Sequence, residues 1–228
     1  MNLLCGSFAV VVALMYNDLT LAFWLIVAGI VFDFFDGFVA RLLHSSSAIG
    51  VQLDSLADVI TSGLAPAAVL WQVCLQTEPC WLPETWKLGY GVFVLAAFSA
   101  LRLAKFNIDE TQTVEFCGLP TPAGSLLCAS LGMLWQQGAV ALSSDGVLLI
   151  AVLTSLLLVS PIRMFALKFH GFGWHGNEVR YLFLLASIVL IIILRTYAIP
   201  VIIVLYIVVS AVRWLCMRSG NPDKAPKA

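Results

Sequence analysis

The feature that most restricts this chain is its recurrent apolar runs near 20 residues in length, of which "LAFWLIVAGIVF" is the core of one. About 20 consecutive apolar residues carry a helix across the hydrocarbon layer of a bilayer. Composition agrees. The 228 residues are 61% hydrophobic and only 11% charged, where a soluble domain carries about a quarter charged residues, and the mean hydropathy is +0.98. The reading is an all-α, multi-pass integral membrane protein. A net charge of -1 gives no nucleic-acid footprint.

Eight membrane segments are expected, at roughly 2–16, 20–43, 50–76, 87–106, 121–143, 147–169, 180–197 and 199–217. Their connections are mostly tight, which predicts one helical bundle over residues 1–217. The polar tail "RSGNPDKAPKA" at 218–228 is expected to be disordered. The sequence shows no internal repeat and no cleavable signal peptide. Ten basic residues (Arg41, Arg102, Lys105, Arg163, Lys168, Arg180, Arg213, Arg218, Lys224 and Lys227) fall on one face of this layout, against Lys87 and Arg195 on the other. By the positive-inside rule the first face is cytoplasmic. The six cysteines form no CxxC pair and read as apolar packing, with Cys74 and Cys80 flanking one loop where an oxidising compartment would let them join.

One stretch breaks the apolar pattern. "DFFDGFVARLLHSSSAIGVQLDSLADVI" runs from Asp33 to Ile60 and holds four aspartates and an arginine. Asp33, Asp36, Gly37, Ala40 and Arg41 share one helical face by their spacing, and so do Gly50, Asp54 and Asp58. "LLHSSSAI" turns the chain back between them, so the two polar faces meet. Four carboxylates in a low dielectric repel and would protonate without cations. Two divalent ions answer that need. An all-oxygen ligand set suits magnesium or manganese, and no His or Cys completes a zinc set. Such a metal pair clamps a transferring phosphoryl group. Glycine at 37 and 50 leaves a ligand room to approach the helix backbone, and Arg41 offers a fork for phosphate oxygens.

Structural ion pairing and ion or proton transport are the rival roles for such aspartates. Ion pairing would leave three of them unmatched, because Arg41 is the one basic residue of the stretch. A transporter or proton relay also uses intramembrane aspartates, but needs neither the glycine beside a carboxylate nor the arginine eight residues on.

The pattern Asp33-x2-Asp36-Gly37-x2-Ala40-Arg41-x8-Gly50-x3-Asp54-x3-Asp58 resembles the complete signature of the CDP-alcohol phosphotransferases, a family built on six transmembrane helices. Those enzymes displace CMP from a CDP-linked alcohol with a second alcohol. The resemblance implies that Asp33, Asp36 and Asp54 are metal ligands and that Asp58 is both ligand and general base. It assigns Gly37, Ala40, Arg41 and Gly50 to the nucleotide and diphosphate, and Ser47 to a hydroxyl contact with the CDP-lipid. "NLLCG" at Asn2, "DSLADVITSGLAPA" at Asp54, "SALRLAKFNID" at Ser99 and "FCGLPTPAGS" at Phe116 are similar to the phosphatidylserine synthases of that family. In the family a further stretch, often an interfacial helix, usually precedes the segment that here starts at Asn2.

This narrower resemblance implies a substrate pair of CDP-diacylglycerol and L-serine, a membrane-lipid setting, a prokaryotic cell membrane and a cytoplasmic active site, with a homodimer as a candidate assembly. Glycerol 3-phosphate and inositol phosphate are the alternative acceptors. A serine site needs a cation for the carboxylate. Arg102, Lys105 and Asn107 at the cytoplasmic end of the fourth segment are the candidates, with Arg163 and Arg180 as other sources. Trp71, Trp81, Trp86, Trp174 and Trp214 read as interfacial anchors. His44, His170 and His175, and Glu78, Glu84, Glu110, Glu115 and Glu178, read as solvated loop residues. The glycine-rich "HGFGWHGNE" precedes no GK[ST] and is no phosphate cradle by pattern.

Overall fold

The computed structural model describes residues 1–43, 47–81, 89–108, 115–165 and 177–220. His44, Trp86, Lys87, Lys168, His170, Trp174, His175, Glu84, Glu110 and the tail beyond Gly220 lie outside the described residues. So do the side chains of Arg41 and Glu115.

Helix α1 (Asn2–Val11) widens into a π turn at Val12–Tyr16. Helix α2 spans Leu19–Leu42. Helix α3 (Ala48–Asp58) passes through a π turn at Val59–Leu64 into α4 (Ala65–Gln76). A 3-10 turn at Gly89–Phe93 leads into α5 (Val94–Ile108). Strand β1 (Glu115–Cys117), α6 (Thr121–Gln136), α7 (Ser144–Val159) and β2 (Arg163–Phe165) follow. Helices α8 (Glu178–Leu194) and α9 (Ala198–Gly220) close the chain.

Helical rods appear at all eight expected segments, but among the described residues four stretches are long and apolar enough by themselves to cross a membrane: Leu19–Ala40, Ile49–Gln76, Gly89–Ile108 and Glu178–Cys216. The last is 39 residues long and is broken at Arg195, which has φ 49°, so α8 and α9 fold back on one another. Two further apolar helices, Asn2–Tyr16 and Ser144–Val159, are shorter.

Two helices stop earlier than the apolar pattern suggests. The pattern of the fifth segment runs to residue 143, but α6 ends at Gln136 because Gly138 adopts φ 68°. There Ala139 N–H donates back to the Leu134 carbonyl at 2.9 Å, a glycine-based helix stop. The pattern of the sixth runs to 169, but α7 ends at Val159. Ser160 precedes Pro161 and is extended, with ψ 151°, as the proline ring requires of its predecessor. The freed chain forms β2, which pairs antiparallel with β1, Phe116 opposite Met164. Nothing in the sequence pattern predicts this two-stranded patch.

The bundle is organised around α4. In the stretch Ile49–Gln76, 67% of the most apolar window is buried, against 28% for α2 and 17% for α8 with α9. Small residues make this possible: Ala65, Ala67 and Ala68 are fully buried, and a Cβ on Gly132 of α6 would meet Val69 Cγ1 at 2.2 Å. Close backbone approach of this kind is how helices pack in lipid. Trp71 packs beside Tyr90 and Phe93, at ring distances of 6.1 and 6.2 Å. Trp81 is 73% exposed. Cys74 is buried, Cys80 is exposed, and neither is in a disulfide.

At the end of the bundle that holds the start of α2, Asn17 and Gln76 exchange side-chain hydrogen bonds, and Gln136 bridges to Thr20 and to the Asn17 carbonyl. Nearby, the Asp145 carboxylate accepts the backbone N–H groups of Cys80 at 2.8 Å and Trp81 at 2.7 Å. The aspartate-bearing segments meet at the other end.

Candidate active site

Asp33, Asp36, Gly37 and Ala40 ride on the last turns of α2, with Arg41 one residue further on the same helix. Helix α3 starts at a built cap: Ser47 is extended, and its hydroxyl accepts the Gly50 N–H at 3.0 Å. Ser is among the preferred N-cap residues for this reason. The hydroxyl expected to face a lipid nucleotide thus also holds the helix end. A side chain at Gly50 would press on it, with a Cβ 3.0 Å from Ser47 Oγ.

The cap sets the register of Asp54 and Asp58. Asp33 faces both of them, and Asp58 faces Asp54 and Arg102. Asp33 and Asp58 are half-buried, while Asp36 and Asp54 are exposed. The π turn that widens the helix begins at the residue after Asp58, and such turns recur at functional sites.

The first helix contributes a residue to which the sequence pattern gives no role. Asn2 is 4% exposed, and its Nδ2 donates to Asp33 Oδ1 at 3.0 Å and to Asp58 Oδ1 at 2.9 Å. One side chain of α1 therefore bridges the two aspartate-bearing helices. A single asparagine inside a short apolar helix carries no periodic signal; "NLLCG" marks its neighbourhood only through resemblance.

Arg102 also faces Asp58. It is 9% exposed, its Nη1 donates to Thr121 Oγ1 at 3.3 Å, and its guanidinium stands 5.9 Å from the Phe106 ring. Its Nε is buried with no hydrogen-bond partner. A cavity of about 380 Å³ opens here, walled by Arg102, Lys105, Phe106 and Cys117 on one side and by Leu158 to Pro161 on the other.

Asn107, expected beside Arg102 and Lys105, does not line this cavity. Its Nδ2 donates to Ser55 Oγ at 2.8 Å and ties α5 to α3. Of the alternative cations, Arg180 donates to Asn177 at 2.7 Å and Arg163 sits in β2. Neither lines the cavity.

The loop between β1 and α6 packs against the end of α7, whose Leu158 lines the cavity. Gly118 has φ 77°, and a Cβ there would fall 2.2 Å from the Leu158 carbonyl oxygen. Its N–H donates to Ile162 O and that of Leu119 to Leu157 O, both at 2.9 Å. Gly118 and Leu119, the start of "GLPTP", are thus stitched to the end of α7 and the chain just past it.

The aspartate row offers carboxylate oxygens without thiol or imidazole, and this donor chemistry fits a hard divalent cation. Among the described residues, no three Asp, Glu, His or Cys side chains are gathered into one cage. The carboxylates stand instead as facing groups on two helices.

The family model of the CDP-alcohol phosphatidyltransferases matches residues 1–160. The chain belongs to that family. Relatives carry a more specific name. The CDP-diacylglycerol--serine O-phosphatidyltransferase of Bacillus subtilis is 33% identical over 177 residues, 78% of this chain and 89% of the relative. That of Helicobacter pylori (strain ATCC 700392 / 26695) is 31% identical over 200 residues, 86% of this chain and 80% of the relative. The one from Mycobacterium tuberculosis (strain ATCC 25618 / H37Rv) is 34% identical over 220 residues, 89% and 73% of the two chains. The phosphatidyltransferase match thus covers the aspartate row, Arg102 and the loop at Gly118 together.

Proposed function

We propose that this CDP-alcohol phosphatidyltransferase moves the phosphatidyl group of CDP-diacylglycerol to L-serine, giving phosphatidylserine and CMP. The observation that carries the choice of acceptor is Arg102, a largely buried guanidinium that lines a cavity together with Lys105 and faces Asp58. Serine brings one carboxylate and no phosphate. Among the residues lining the cavity, Arg102 and Lys105 are the basic ones, which matches a carboxylate better than the phosphate of glycerol 3-phosphate or inositol phosphate. The names of the relatives support the same acceptor.

In this mechanism Gly37, Ala40, Arg41, Ser47 and Gly50 receive the CDP end of the lipid. Asp33, Asp36, Asp54 and Asp58 would hold two magnesium or manganese ions, whose chemistry when bound is to neutralise the diphosphate and stabilise the charge that develops on it. Arg102 and Lys105 orient the serine carboxylate, so that the serine hydroxyl faces Asp58. Asp58 takes the hydroxyl proton. The serine oxygen forms its bond to the lipid-bearing phosphorus, the bond from that phosphorus to the bridging oxygen breaks, and CMP leaves with the electron pair. The half-buried position of Asp58, hydrogen-bonded to Asn2 and facing Arg102, supports its role as the base.

The shorter helices are embedded in the membrane too on this proposal, giving about eight spans over residues 1–217. The aspartate end lies on the cytoplasmic side, the side to which Arg41, Arg102, Lys105 and Arg163 fall. Membranes containing the protein, given CDP-diacylglycerol and a panel of labelled alcohols, test the assignment. Serine should be incorporated with release of CMP. Turnover of glycerol 3-phosphate or inositol phosphate without serine would move the protein to another acceptor. Serine transport across vesicles without CMP release would move it to the transporter class.

A further inference from the structure

We infer that Asn2 is a positioning residue for the transfer step: its carboxamide fixes which oxygen of Asp58 faces the acceptor, and holds Asp58 at a set distance from Asp33. The inference rests on the reading of Asp58 as the base, and adds to it a residue from outside the aspartate motif.

The geometry leaves the amide little choice. Both short contacts of Nδ2 run to carboxylate oxygens, Asp33 Oδ1 and Asp58 Oδ1. Turning the amide over would aim its oxygen at two carboxylates, so the donor must face them. The amide oxygen is then left buried with no partner. An unmatched buried acceptor costs stability, and a fold tuned only for stability would place an apolar side chain here. Keeping the asparagine points to a task at the carboxylates.

The rest of the helix is shaped to hold that amide still. The Asn2 carbonyl accepts the Thr61 hydroxyl at 3.1 Å, and Thr61 lies in the π turn just beyond Asp58. Two glycines let α1 reach this position. A Cβ on Gly6 would meet Thr61 Oγ1 at 2.3 Å, and one on Gly29 would meet Thr61 Cγ2 at 2.7 Å and Asn2 Oδ1 at 3.2 Å. One side chain thus touches α2 and α3, and its own backbone touches the turn between α3 and α4.

The consequence for the reaction is orientational. With Asp58 Oδ1 engaged by Asn2, rotation of the carboxylate is restricted and the oxygen that takes the serine proton keeps one orientation. A carboxylate free to rotate presents each oxygen only part of the time. Misplacement of a reacting group by about 1 Å costs on the order of 10²-fold in rate, so the orienting effect on Asp58 is read in turnover.

The test is a kinetic cycle in membranes assayed with CDP-diacylglycerol and serine. Asn2→Ala should lower kcat by about 10- to 100-fold and leave both KM values within about threefold. In an Asp58→Asn background, the same change should add less than about threefold, because residues that act as a unit are not additive. Asn2→Asp keeps the size of the side chain and reverses its hydrogen-bonding sense, so it should fall at least as far as alanine. It also supplies the comparison if the alanine variant fails to insert. Loss of turnover in Asn2→Asp with unchanged KM values supports the bridge. A raised KM for CDP-diacylglycerol at normal kcat would make Asn2 a ligand contact and overturn the inference. So would a full additional loss in the Asp58→Asn background. Near-normal turnover of Asp58→Asn alone would remove the base assignment itself, an outcome separate from the other two.

Discussion

Arg102 donates through Nη1 to the hydroxyl of Thr121 at 3.3 Å, which fastens the end of α5 to the first residue of α6. That contact fixes the guanidinium at the cavity wall and leaves Nε unmatched. A substrate carboxylate would meet a group already held in place. Arg102→Ala should therefore raise the apparent KM for serine by roughly ten- to a hundredfold, the worth of a charge-assisted contact at about 1.5–3 kcal/mol. The KM for CDP-diacylglycerol should change little. Arg41→Ala should do the reverse. Steady-state kinetics on both variants forms a crossed test, and equal weakening of both substrates by Arg102→Ala would make that residue structural.

Removal of divalent ions should abolish CMP release, and magnesium or manganese should restore it. Asp33, Asp54 and Asp58 face one another, and close carboxylates repel a diphosphate unless cations neutralise them. Undiminished CMP release in excess chelator would rule out a metal-held diphosphate.

Asp58→Asn keeps the shape of the side chain and removes its proton acceptance. Turnover should fall by at least about 10², the lower end for loss of a general base. Retention of CDP-diacylglycerol on the variant, measured by equilibrium binding, should be much less affected. A variant with wild-type turnover would assign proton removal elsewhere.

Gly118→Ala should destabilise the protein without touching a substrate. The φ of 77° strains any side chain, at about 1–3 kcal/mol, and the added methyl would collide with the Leu158 carbonyl. The midpoint of thermal unfolding in detergent should drop. An unchanged midpoint would mean that the loop has a second conformation that keeps its tie to α7.

The rods and the aspartate faces are readable from sequence because each has a local cause: apolar runs for α2, α4 and α9, and the spacing of Asp33, Asp36, Asp54 and Asp58 for the row. Features that depend on distant partners are not readable in this way. Strands β1 and β2 are three residues each and pair across some fifty residues, so neither carries a pattern of its own. The bridging role of Asn2 appears only once α1 is packed against α2 and α3. Asn107 looks equivalent to Arg102 and Lys105 along the chain, yet the turn of α5 carries it to Ser55. The early ends of α6 and α7 do have local signs, in Gly138 and in Ser160-Pro161, but the apolar residues beyond them mask these.

The π turn at Val59–Leu64 has a mechanical consequence. An α-helix rotates by about 100° per residue, and a π turn holds an extra residue within its loop. The aspartate face of α3 and the anchored face of α4 therefore sit at different phases of one continuous rod, and the extra residue sets the angle between them. Deleting one residue between Val59 and Leu64 would give a more regular helix. With α4 still gripped by α6 and α7, it would swing Asp54 and Asp58 by about a quarter of a turn away from Asp33.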